Sequence, residues 1–160
     1  MRKHLMWASA TLALFISACG GSPSIGQTSP TSSCVNAGAP HHAYVVVQHL
    51  SGASLQKCVG FAGDTIGGEA LMDQSGVEFH AQTFSFGKAV CQVDNEPAQY
   101  STCFPPNQPT WWAFIEVSGA WACAQTGYTA VTLHDKEAIG WHYVQTTDPC
   151  PAPPPLAKES

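Results

Sequence analysis

Residues 43–50 read Ala-Tyr-Val-Val-Val-Gln-His-Leu, and their reading decides the fold. Three consecutive valines fit a pleated strand better than a helix, because β-branched side chains lose rotamer freedom against a helical turn. Further along, Lys88–Asp94 (KAVCQVD) alternates apolar and polar residues. Trp111–Val117 (WWAFIEV), Trp121–Ala124, Ala130–Leu133 (AVTL) and Ile139–Val144 (IGWHYV) complete about six strand candidates. Ser118-Gly119, between two aromatic runs, signals a hairpin. Gly67–Ser75 (GGEALMDQS) is the best helix candidate: Ala70, Leu71 and Gln74 fall near one face, and Gly76 stands where helices commonly end. A helix this short needs a sheet to pack on. The expected class is α+β, a mixed or antiparallel sheet of five to six strands with one short helix.

The flanks differ in composition. Gly20–Pro40 is rich in Gly, Ser, Thr and Pro and buries too little apolar surface to fold alone. Pro149-Cys150-Pro-Ala-Pro-Pro-Pro reads as a stiff, exposed tail. The first residues have the pattern of a bacterial lipoprotein signal. Arg2 and Lys3 give a basic start, Leu5–Ile16 an apolar stretch of 12 residues, and Ile16-Ser17-Ala18-Cys19 a lipobox. That stretch is too short for a transmembrane helix, which needs roughly 20 apolar residues. The expected organisation is a signal peptide over 1–18, a tether over 19–41, a folded domain over 42–150 and a disordered tail over 151–160. Cys19 is the expected lipidation site, which places the domain outside the cytoplasm. Gly20 rather than Asp follows it, so the outer membrane is the expected address in a cell that has one.

Beyond Cys19 the chain holds four Lys, no Arg and eleven Asp+Glu, a formal charge of −7. Nucleic acid is excluded as a partner, since its affinity comes from Lys and Arg on phosphates. A bidentate grip on phosphate or carboxylate is excluded with the missing Arg. Six cysteines remain besides Cys19, an even number that in an exported chain reads as three disulfides. They allow fifteen connectivities. The preferred set joins Cys91 to Cys103, the closest pair, and Cys34 to Cys150, tying the ends together. Cys58–Cys123 follows by elimination. Each bond contributes roughly 2–4 kcal/mol, mainly by restricting the unfolded chain.

Several short motifs in order carry a family resemblance. They are Ala70-Leu71-Met72-Asp73-Gln74-Ser75-Gly76, Ala89-Val90-Cys91, Cys103, Trp112-Ala113-Phe114, Gly119-Ala120-Trp121, Gly127 and Gly140-Trp141-His142-Tyr143. The resemblance they carry covers about residues 43–144. This resembles the β-grasp-like domain at the C-terminal end of transcobalamin and intrinsic factor, and more closely its bacterial relatives, the DUF4430 domains. The resemblance implies a β-grasp-like fold, and cobalamin or another corrinoid as the ligand class to test first. The chain departs from the pattern before its last strand, where His134-Asp135-Lys136-Glu137 replaces a Gly- or Asp-rich turn.

Four of the five tryptophans (Trp111, Trp112, Trp121, Trp141) lie in the last third. With Tyr100, Phe114, Tyr128 and Tyr143 they can form an aromatic platform or simply fill the core. In a strand Trp111 and Trp112 point to opposite faces, so both cannot lie in one core. A flat aromatic surface suits a sugar ring, a planar macrocycle or another protein. Trp111, Trp112, Trp121 and Tyr100 are therefore the candidate ligand-binding residues. No metal is expected: His41, His42, His49, His80, His134 and His142 form no HExxH or His-x-His motif, and no Cys is spare. No enzyme is expected either. There is no Gly-x-Ser-x-Gly elbow. Asp64, Glu69, Asp73, Asp94, Glu96 and Asp135 are scattered near turns, where carboxylates are favoured anyway. The functional expectation is a monomeric cell-envelope lipoprotein that binds a small ligand without catalysis and without a cofactor. The alternative is a structural, adhesion or protein-interaction module.

Overall fold

The computed structural model describes residues 34–155. The elements, in chain order, are β1 (His41–Gln48), β2 (Ser54–Phe61), β3 (Ile66–Gly67), α1 (Gly68–Gln74), β4 (Phe79–Phe84), β5 (Gly87–Val93), β6 (Thr110–Val117), β7 (Ala120–Cys123), a 3-10 turn (Tyr128–Ala130), β8 (Thr132–Leu133) and β9 (Ala138–Val144). Five strands make one sheet in the order β2-β1-β9-β6-β7. The valine run β1 lies inside it, antiparallel to β2 and parallel to β9, which explains why it is apolar on both faces. β6 is antiparallel to both β9 and β7. The sheet is mixed, as expected.

Ser118-Gly119 closes the β6–β7 hairpin as a two-residue turn. Both residues have positive φ (54° and 86°), the pairing that suits the right-handed twist of the strands. The expected Ala130–Leu133 strand shortens to the two residues of β8, because Tyr128–Ala130 winds into the 3-10 turn. Three strands were not anticipated, one of them only the two residues of β3. In β2 (SLQKCVGF) polar residues interrupt the apolar pattern, and β4 (FHAQTF) is a short alternating strand paired with β5 outside the main sheet.

One face of the sheet carries Ala43, Val45, Val47, Val59, Trp111, Ile139, Trp141 and Tyr143, and α1, β3, β8 and the β4–β5 hairpin contribute Leu71, Met72, Ile66, Leu133, Val90 and Val93 to the same core. α1 buries Leu71 and Met72 while Gln74 is exposed. Its C-terminus is closed by Ser75, whose hydroxyl donates to the Met72 carbonyl (2.7 Å) and accepts from the Val77 N–H (3.1 Å), with Gly76 at φ 71°.

The opposite face is covered by the chain ends, and here three expectations are corrected. Folded structure begins before residue 42. Val35 bridges to Val59, its N–H donating to the Cys58 carbonyl (2.9 Å), so residues 34–40 guard the outer edge of β2. The tail is not wholly exposed: Pro151 and Pro154 are buried, while Pro149, Cys150, Ala152, Pro153 and Pro155 are exposed. A Cβ placed on Gly140 would meet Pro154 at 2.8 Å and the Trp121 ring at 2.7 Å, so a bare glycine lets both lie against β9. His142 Nδ1 is 2.7 Å from the Ala152 carbonyl oxygen. The disulfides follow this layout. Cys91–Cys103 forms as expected, but the other pairs are Cys34–Cys58 and Cys123–Cys150. Each terminus is tied to the edge strand beside it, not to the other terminus. Residues 156–160, and the signal, Cys19 and most of the tether, lie outside the described residues. No helix among the described residues is long and apolar enough to cross a membrane.

Candidate ligand-binding cleft

The β4–β5 hairpin turns at Ser85-Phe86, which leaves Phe86 exposed at its tip. The chain after β7 then returns to this tip. Gly127 donates its N–H to the Phe86 carbonyl (2.8 Å). A Cβ on Gly127 would lie 2.6 Å from the backbone N and O of Lys88. Only glycine permits that approach. On the other side, the Cys91–Cys103 disulfide holds the 97–109 loop to β5 and sets Phe104 beside the tip. Between β5, β6 and the 124–128 loop a cleft of about 360 Å³ remains open.

Six of its fifteen lining residues are aromatic. Trp111, Tyr128 and Trp141 are buried beneath it, and Phe86 and Phe104, 46% and 45% exposed, stand at its mouth. Phe84 stacks parallel to Phe86 at 5.3 Å and lies 5.3 Å from Phe104, so the aromatic surface continues outward onto the hairpin. Tyr128 meets Trp141 edge-on at 6.0 Å, and Trp111 packs on Tyr143 at 4.9 Å. Both buried indoles use their N–H groups internally. Trp111 donates to the Glu96 carbonyl (2.8 Å), and Trp141 points at the Met72 sulfur (3.3 Å). Behind Trp111, His49 joins Glu96 (2.7 Å) and Asp94 (3.4 Å), fixing the loop that accepts the indole bond.

Few polar groups face the cleft. They are Thr110, Gln125, Thr126 and Lys88. Gln125 gives one amide bond to the Cys123 carbonyl (3.2 Å) and keeps its oxygen free for another partner. Lys88 is ion-paired with Glu69, and that hydrogen bond first, then their Coulomb attraction, holds its ammonium above the usual lysine pKa. Burial pushes the Tyr128 and Tyr143 hydroxyls above the ordinary tyrosine value. The cleft therefore offers no unpaired charge at neutral pH.

Of the four candidate residues, Trp111 and Trp112 both border the cleft. Strand alternation sends their rings to opposite faces, so the Trp112 side chain lies on the side of the C-terminal tail. Trp121 also lies on that opposite face, over Gly140 and edge-on to Phe114. Tyr100 lines a smaller hollow of about 160 Å³ beside the Cys91–Cys103 bond. Sequence reasoning passed over Phe86, Phe104 and Gly127 as site residues. The available signal was a Phe-x-Phe at a turn (Phe84-Ser85-Phe86-Gly87). Among the described residues no group of three or more His, Cys, Asp or Glu is placed to hold a metal ion.

No protein-family model matches the chain. No curated protein matches it. Among solved structures it is similar to a protein of Ruminococcus gnavus described as a "putative metal binding protein". The two share 19% identity over 66% of this chain and 98% of the other, with a TM-score of 0.47.

Proposed function

We propose that this chain is a cell-envelope lipoprotein whose single domain captures a small ligand without chemical turnover. The observation that carries this reading is the cleft of about 360 Å³ where β5, β6 and the 124–128 loop bring aromatic side chains together with a few neutral polar groups. That volume lies at the lower end of the roughly 300–1,000 Å³ typical of ligand sites. Three disulfides fit an oxidising, extracytoplasmic setting. The lipobox at Cys19 supplies the membrane attachment in this reading, and the order of motifs supports a β-grasp-like ancestry with cobalamin as the ligand that ancestry nominates. A corrin macrocycle is too broad to enter so small a cleft and would rest on the Phe86 and Phe104 rim instead.

The test is tryptophan fluorescence of the full chain titrated with cyanocobalamin and, separately, with indole as a planar neutral probe. Saturable quenching by either, weakened in a Thr126→Trp variant that fills the cleft, supports ligand capture. No quenching and no thermal shift with both probes would move the assignment to the structural or adhesion module.

A further inference from the structure

The cleft's chemistry narrows what it holds, and this step rests on the ligand-capture reading above. An anionic ligand finds no free cation: Arg is absent beyond residue 2 and Lys88 is paired with Glu69. A cationic ligand finds no carboxylate among the lining residues to pair with. An acyl chain would want aliphatic walls, yet the aliphatic contribution is little more than Ala89, Val90, Ala113 and Ala124. What remains is a neutral ligand with flat C–H faces for the rings and hydroxyls for Thr110, Gln125 and Thr126. A pyranose has both, with C–H groups on its faces and hydroxyls around its rim. Because Trp111 and Trp141 already spend their N–H groups, the aromatic part of the site offers surface only, and the polar contacts fall to the neutral side chains at its edge.

The rim adds a length. Phe86 and Phe104 border the cleft and are nearly half exposed, and Phe84 extends the same surface away from it. Two phenyl rings nearly half exposed at one opening, continued by the partly buried Phe84, are costly for a folded domain unless something covers them. We infer that the cleft takes the terminal unit of a neutral glycan chain and that the phenyl rim carries the next units.

Isothermal titration of the full chain against glucose and N-acetylglucosamine, then against maltotriose, cellotriose and triacetylchitotriose, tests this. At least one trisaccharide should bind about tenfold or more tighter than its monosaccharide. Phe86→Ser with Phe104→Ser should lower trisaccharide affinity far more than monosaccharide affinity, erasing the tenfold gain, and Gln125→Ala with Thr126→Val should weaken both by a similar factor. If indole binds and no saccharide does, the glycan inference falls while the ligand-capture reading stands. If neither binds, both fall. A trigalacturonate that binds as tightly as the neutral trisaccharides would overturn the claim of neutrality.

Discussion

At the scale of single residues, Gly127 in the cleft's wall and the buried Tyr128 beneath it can be tested separately. Gly127 has an ordinary φ of −64°, so its need for glycine is not conformational. It comes from the Lys88 backbone, which leaves no room for a methyl group. Gly127→Ala should push the 124–128 loop off the hairpin tip and destabilise the fold by about 1–3 kcal/mol, the usual cost of overpacking, as read from urea unfolding. Tyr128 carries a pH dependence. Burial raises its hydroxyl pKa, so between pH 10 and the raised value the folded state keeps a proton that the unfolded chain has released. Its contribution is complete below about pH 10 and is lost as pH climbs further. Tyr143 and Lys88 shift in the same direction. Tyr128→Phe should therefore flatten, without abolishing, the alkaline fall in thermal midpoint, and an unchanged profile would remove Tyr128 from that account. Gly127 stood out only as one piece of a motif order; the reason it must be glycine was not legible, because a close approach to Lys88, some forty positions away, leaves no local mark. The opposed faces of Trp111 and Trp112 were legible, because alternation along a strand is a local property.

Elements whose signals were local came through in the same way. The valine run, the aromatic strands β6 and β9, the helix ending at Gly76 and the Ser118-Gly119 hairpin all rest on neighbours within a few residues. Strand order was out of reach, and the disulfide pairing depends on it. β2 occupies one edge of the sheet and β7 the other, so a bond between Cys58 on β2 and Cys123 on β7 would have to cross three intervening strands. Each cysteine instead takes the terminal segment lying next to it, Cys34 or Cys150. The second of these bonds fixes the proline segment over Trp121 and Gly140, turning a stretch that reads as a free tail into the cover of a sheet face. Replacing Cys123 and Cys150 together by Ala should lower unfolding free energy by about 2–4 kcal/mol. It should also shift tryptophan emission to the red as Trp121 becomes wetted. A stability loss without the red shift would mean that the prolines stay in place unaided.

For the whole molecule, the proposed division of labour places the anchor and the cleft at different ends of the chain's logic. The tether from Cys19 to Cys34 can reach about 50 Å when extended, at about 3.3 Å per residue. Folded structure has begun by Cys34, where the first disulfide ties the chain to β2. The cleft is built from β5, β6 and the 124–128 loop, none of which contacts the tether's attachment through a shared disulfide. Attachment and binding should then be separable. Cys19→Ala should release the protein from the membrane fraction and remove the acyl mass from its amino end, while leaving saccharide affinity in solution unchanged. A single acyl chain gives only marginal, reversible membrane binding, so firm retention of the parent protein requires more than one chain on the same cysteine and its amine. Intact-mass measurement checks that directly. A variant that stays in the membrane fraction would show that something other than Cys19 holds the chain there, and the phenyl rim would then be the first surface to mutate, because Phe86 and Phe104 are exposed together and Phe84 packs on both.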